Sequence, residues 1–353
     1  MWLSGRASPC QGEGRGFESR HPLQRCRPPF LGAFVVSEGG AQMVQFGVHV
    51  GAQNATVEEL RTLWKWLDEV GSDWISLWDH LYEAPPAGGT QPHFEAFSML
   101  GALAVDTHRA RIGCLVFCSQ YRNIGVLMKG AISVDHLSTG RFELGMGSGW
   151  HDQEAAAFGI DFPSQGQRFK VLEGQLQAIN KWKAGERVTQ STPGVELRDA
   201  SMVPGIRGRM PLWIGGLGPK QTLRMAGTYA DGWNAAYASP SQYKELNDIL
   251  DKWCADAGRE PSAVERSINL SFGLSTDDVG VVKDQLRAQW GAAADRIIAG
   301  SLLGRPEDAM EQIAPFVEAG AQLINVAIRP PWNQDLLAEY FETIVPMMKK
   351  EWS

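Results

Sequence analysis

Residues 140–150 read Gly140-Arg141-Phe142-Glu143-Leu144-Gly145-Met146-Gly147-Ser148-Gly149-Trp150. A short apolar strand over 142–146 runs straight into glycines at every second position and then into one large aromatic ring. Without Cβ atoms the backbone can turn sharply there and let a flat ligand lie against its peptide planes, with Trp150 as a wall. A plain glycine-rich turn after a buried strand is the alternative reading. A second strand-to-glycine junction, Leu212-Trp213-Ile214-Gly215-Gly216-Leu217-Gly218-Pro219-Lys220, favours one ligand site assembled from several strand ends.

Working outward, strand and helix signals alternate through the rest of the chain. Strands are expected at 44–50, 74–78, 112–117, 142–146, 211–214, 232–236, 267–273 and 323–328. Between them lie helical patterns, beginning with Thr56-Val57-Glu58-Glu59, which reads as a capping box. A helix is expected to start at Pro219. Eight strand–helix units without a repeat period imply an α/β fold, a (β/α)8 TIM barrel. The excursions after strands two, four and seven are insertions at the carboxyl ends of strands, the face where such barrels place their chemistry.

The 353 residues accommodate one barrel with insertions, and a formal charge of −7 argues against nucleic acid and anionic membranes. No apolar run approaches the ~20 residues that span a bilayer. The five cysteines (Cys10, Cys26, Cys114, Cys118, Cys254) form no CxxC pair, so neither a zinc site nor a disulfide framework is indicated, and a reducing, cytoplasmic setting is expected. Cys114 and Cys118, four apart on one strand, are expected on one face as small core residues. Residues 1–42 differ from the remainder: they carry five arginines and no lysine, are rich in Gly and Pro, and show no periodicity. Gly16-Phe17-Glu18-Ser19-Arg20 matches translation of a tRNA arm, so 1–42 read as a non-native or disordered extension and 43–353 as the barrel domain.

The chain resembles the bacterial luciferase-like monooxygenases, in particular their branch that uses the deazaflavin coenzyme F420. The resemblance rests on Trp78-Asp79-His80-Leu81, Tyr121-Arg122-Asn123, Asp135 to Arg141, Leu144 to Trp150, and Glu154 with Phe158-Gly159. It continues through Arg168, Ile214 to Lys220, Ala230-Asp231-Gly232-Trp233-Asn234 and Gly304 to Asp308. It implies His80 as the acid or base of a hydride transfer, and Asp79, Leu115, Val116, Gly147, Ser148, Gly149 and Trp150 around the cofactor ring. A non-prolyl cis peptide at Leu115-Val116 and a homodimer are further implications. For Gly215, Gly216, Gly218, Pro219 and Lys220 there is independent support, because a glycine turn feeding a helix aims N–H groups at an anion such as a phosphate. Arg168 and Glu154 are expected either as an internal ion pair or as substrate contacts. No metal is expected.

Three functions compete: an F420-dependent oxidoreductase acting on a small organic substrate, an FMN-dependent monooxygenase of the same fold, and a barrel that only binds flavin. Substrate choice is expected to reside in the loops at 82–92, 185–208 and 275–303.

Overall fold

The computed structural model describes residues 43–83 and 88–353; the expected extension, 1–42, lies outside the described residues. The chain proceeds as β1 (Gln45–Val50), α1 (Val57–Glu69), β2 (Trp74–Leu77), α2 (Ala96–Asp106), β3 (Arg111–Cys118), α3 (Ile124–Leu137) and β4 (Phe142–Gly147). Next come α4 (Asp152–Ala157), α5 (Gln165–Lys183), a hairpin of β5 (Val188–Thr192) and β6 (Val195–Ala200), β7 (Leu212–Gly215), α6 (Thr222–Tyr229) and β8 (Gly232–Ala236). Then follow α7 (Pro240–Asp256), β9 (Glu265–Leu274), α8 (Val279–Trp290), α9 (Ala294–Ala299), β10 (Ser301–Gly304), α10 (Ala309–Glu318), β11 (Leu323–Ile328), α11 (Gln334–Ala338) and α12 (Val345–Glu351).

The strands β1-β2-β3-β4-β7-β8-β9-β11 pair in parallel and close on themselves, since β11 pairs β1 and β9 pairs β8. The eight expected strands are these eight, so the (β/α)8 barrel is confirmed. Outward-facing Phe46, Val48, Val50, Ile75, Leu77, Ile112, Leu144 and Ile214 are buried beneath the apolar stripes of the helices. Thr56 and Glu59 close the capping box that starts α1.

The lumen is polar. At its amino end Arg111 donates to Gln45, Glu143 and Glu265 and lies over the rings of Trp74 and Trp213. Above it Asn234 donates to Ser267 at 2.8 Å and to Asn269 at 2.9 Å, and Asn325 donates to Asn269 at 3.2 Å. Amides fill the place where branched apolar side chains usually pack, each satisfied largely by its neighbours.

Four local expectations are corrected. The helix expected at Pro219 starts at Thr222, with Gln221 as its uncapped first neighbour. The 185–208 excursion, counted among the insertions at the carboxyl ends of strands, lies instead between the end of the expected helix, α5, and the start of β7: its hairpin packs along α5, where Gln190 donates to the Gly174 carbonyl at 2.7 Å. A ninth strand, β10, extends β9 beyond the end of β8. Cys114 pairs with Leu144 but Cys118 with Gly147, because one extra residue is inserted in β3 between them. That shift turns the two thiols to opposite faces, although both are buried.

Candidate active site at the barrel mouth

The carboxyl end of β2 supplies two acid–base side chains in succession, and they face different partners. Asp79 is buried; its Oδ2 accepts from Arg122 at 2.7 Å and from the Cys118 N–H at 3.0 Å, while its Oδ1 has no protein partner. Burial raises the Asp79 carboxyl above its ordinary range against the pull of Arg122. His80, half-buried, turns instead to Glu154, with Nδ1 2.8 Å from Glu154 Oε2.

Glu154 stands on α4, whose first turn is capped by His151, and its side chain is wholly buried. It accepts from the backbone N–H groups of Leu81 and Tyr82 and, at 2.6 Å, from the Tyr121 hydroxyl. Burial disfavours the carboxylate, but the hydrogen bonds and charge of His80, with Tyr121 and Leu81, outweigh it and hold the group at about 2. Glu154 is therefore a fixed anion, and the tautomer of His80 follows: Nδ1 carries its proton toward Glu154 and Nε2 is left to exchange one. Burial and the Glu154 carboxylate raise the Tyr121 hydroxyl well above its usual range, so it remains a donor.

The signature turn builds one side of the mouth. Trp150, 60% exposed, stacks on His151 at 4.8 Å and meets the His80 ring edge-on at 5.3 Å. Gly149 has φ +76°, and a Cβ there would sit 2.5 Å from Cys118 Sγ. The Ser148 carbonyl accepts from Arg168 Nε at 3.1 Å, and Arg168 also donates to Pro163 and lies over Phe162. Arg168 and Glu154 thus serve separate tasks; the ion pair expected between them is replaced by a loop brace and a histidine partner.

The Leu115-Val116 peptide is cis, at the register shift of β3. Val116 projects from this bulge toward β4 and β7. A Cβ on Gly145, Gly147 or Gly215 would lie 3.1, 2.4 or 2.8 Å from its methyl groups. Gly147 and Gly215 are therefore first of all the seat of Val116.

At the second junction Gly216 has φ +131°, and its N–H and carbonyl are already engaged, by the Asn234 carbonyl at 3.0 Å and by Trp233 Nε1 at 2.9 Å. The Pro219 carbonyl accepts from Trp253 at 2.9 Å. The turn from Leu217 to Gln221 leads into α6, whose start has no side-chain cap, and Gly218 leaves room for Thr222, whose Oγ1 a Cβ would approach to 2.9 Å. Lys220 is exposed and forms no ion pair among the described residues. Sequence reasoning missed Glu154 as the partner of His80, and Tyr121 and Arg122 as the donors behind Glu154 and Asp79. Their presence in the quoted motifs was the available signal.

These features define a barrel whose mouth combines a bulged strand, a glycine–tryptophan turn and an anchored histidine. The luciferase-like monooxygenase family model matches residues 39–312, and the chain belongs to that family. It is 28% identical over 340 residues to the F420-dependent glucose-6-phosphate dehydrogenase of Microbacterium testaceum, covering 88% of this chain and 99% of that one. It is 30% identical over 252 residues to a phthiodiolone/phenolphthiodiolone dimycocerosates ketoreductase of a Mycobacterium species, covering 67% and 65% of the two chains. Among solved structures, an F420-dependent secondary alcohol dehydrogenase with an F420–acetone adduct superposes with a TM-score of 0.76 at 18% identity, over 87% of this chain and 99% of that one. A long-chain alkane monooxygenase superposes with a TM-score of 0.73 at 13% identity, over 88% and 92%.

Proposed function

We propose that the protein is an F420-dependent oxidoreductase that moves a hydride between the deazaflavin and a small hydroxyl- or carbonyl-bearing molecule. The observation that carries this reading is the 2.8 Å contact of His80 Nδ1 with the buried Glu154 carboxylate. It leaves Nε2 as a base when the substrate is an alcohol, and as an acid, once protonated, when the substrate is a carbonyl compound. The names of full-length relatives support the choice of cofactor.

The residues present fit the deazaflavin. Its ring would lie by Val116 and the turn from Gly147 to Trp150, where the unpartnered, buried Asp79 Oδ1 waits for a donor. Its phosphate would meet the turn from Leu217 to Lys220 and the uncapped start of α6. When bound, the deazaflavin supplies a two-electron hydride acceptor or donor. His80 manages the substrate proton, Glu154 fixes its ring, and Trp150 covers it from solvent.

A homodimer is part of the proposal, supported by exposed Val105, Val126 and Leu137 on neighbouring α2 and α3 and tested by sedimentation. A cytoplasmic setting is supported by free thiols at Cys114, Cys118 and Cys254. Among the described residues no helix is long and apolar enough to cross a membrane.

The test is to purify the chain from a host that makes both F420 and FMN and to record the bound chromophore. A single oxidised band at the blue edge of the visible is expected; a two-band flavin spectrum would instead establish the FMN-dependent reading. His80→Asn should then keep the chromophore while turnover with an alcohol panel falls ~10²-fold or more.

A further inference from the structure

Arg329 follows β11 directly, two positions after Ala327 and four after Asn325, and so shares the lumen-facing side of that strand with the amide cluster. Its guanidinium is held between two rings, 5.4 Å from the centre of Trp78 and 4.5 Å from that of Trp290. Trp290 ends α8 and reaches the mouth from the insertion after β9. Clamped in this way, Arg329 has no carboxylate partner among the described residues. Its Nε is buried without an acceptor, and so is the Nε1 of Trp290. Buried N–H donors normally find acceptors, and two such donors side by side, one of them cationic, call for a ligand that brings acceptors and negative charge.

The neighbouring acids are already engaged. Glu154 serves His80, and Asp79 and Glu95 serve Arg122. His49, whose ring is 5.1 Å from that of Trp78, gives its Nδ1 to Ser76 at 2.9 Å. Around the barrel β11 is four strands from β4 in either direction. Arg329 therefore faces the signature turn across the mouth, away from the β7–α6 turn assigned to the cofactor's phosphate.

We infer that Arg329, flanked by Trp78 and Trp290, is the recognition point for an anionic group, a carboxylate or phosphoryl group, carried by the substrate. This rests on the oxidoreductase reading for the identity of the bound molecule as substrate, but the binding itself can be measured without turnover. A planar guanidinium offers paired donors matched to either oxyanion. The inference predicts hydroxy acids or hydroxyalkyl phosphates in preference to neutral alcohols.

Tryptophan fluorescence of the full-length protein, with its cofactor bound, would be titrated with 3-hydroxybutyrate and its methyl ester, and with glycerol 3-phosphate and glycerol. Each pair differs in its anion, and comparison of the two anions separates carboxylate from phosphoryl recognition. At least one anion is expected to bind ~10–100-fold more tightly than its neutral counterpart, with that preference lost in Arg329→Gln and partly kept in Arg329→Lys. Equal binding of both members of both pairs would overturn the inference. So would an anion preference that survives in Arg329→Gln, or a variant that loses thermal stability while its anion affinity is unchanged. If the anion binds through Arg329 yet no anionic or neutral alcohol reduces the cofactor, the oxidoreductase reading fails and the anion site stands.

Discussion

Replacing Glu154 by glutamine tests the site at the point where geometry becomes chemistry. Glu154 Oε1 receives the N–H groups of Leu81 and Tyr82, and Oε2 receives His80 and Tyr121. A glutamine that keeps its carbonyl on the two backbone N–H groups must turn its NH2 toward His80. The amide then donates to Nδ1, the imidazole proton moves to Nε2, and the neutral ring can no longer accept a proton there. Inverting a histidine tautomer by an acid-to-amide change costs ~10⁴ in a serine protease triad, and loss of general-base catalysis generally costs ~10²–10⁴. Alcohol oxidation by Glu154→Gln is accordingly expected to fall by ~10²–10⁴-fold, with cofactor affinity little changed and one limb of the pH–rate profile lost. Stopped-flow reduction of the bound cofactor across pH measures the rate and its profile, and a cofactor titration measures the affinity. Turnover close to wild type with an unaltered pH profile would refute the tautomer argument. The same variant carries a stability signature. The folded Glu154 carboxyl titrates at about 2 against an ordinary 4.5, so its ionisation stabilises the fold fully above pH 4.5 and ceases to do so as pH falls toward 2. Glu154→Gln should lack that acid-side loss in urea titrations.

Three further outcomes are expected. Burial, then the charges of Arg329 and His80, push His49 down to about 3 from an ordinary 6.5, so its neutral form stabilises the fold above pH 6.5 and that support is lost as pH falls toward 3. His49→Asn should remove a slope of about 1.4 kcal/mol per pH unit between those limits, read from urea midpoints. Gly147→Ala places a Cβ 2.4 Å from Val116 Cγ2 and should destabilise by ~1–3 kcal/mol; adding Val116→Ala should recover much of that, and a double-mutant cycle without coupling would contradict the seating of Val116 on Gly147. A chain beginning at Met43 is proposed to retain the thermal midpoint and chromophore of the longer one; peptides from residues 1–42 in a digest of the natural protein would refute Met43 as its start.

What the sequence disclosed and what it hid divide along a physical line. Strand and helix periodicity is a local property, so all eight barrel strands and the capping box at Thr56 were legible from neighbours in the chain. Register is not local. The extra residue in β3 leaves no mark in the apolar run 112–118, yet it separates the faces of Cys114 and Cys118 and sends Val116 across the mouth. The glycine turn illustrates the consequence. Gly147 and Gly215 were read as clearance for a ligand, and they are in the first place clearance for Val116, a residue from another strand.

The histidine shows why adjacency misleads. Asp79 and His80 are consecutive, and the natural reading pairs them. Successive side chains at a strand end leave on opposite sides, so the carboxylate nearest in sequence is among the least able to reach the ring. His80 instead takes a carboxylate 74 positions away, on a short helix that the signature turn positions, while Asp79 goes to Arg122. The segment that decided the fold thereby also controls the chemistry: a change in the 147–151 turn that shifted α4 would withdraw Glu154 and release the His80 tautomer without touching either residue. Motifs that looked like separate parts of a ligand site are thereby cross-linked in two places: Glu154 after the turn gathers His80, Leu81 and Tyr121 and fixes the imidazole, and Asp79 beside it takes Arg122.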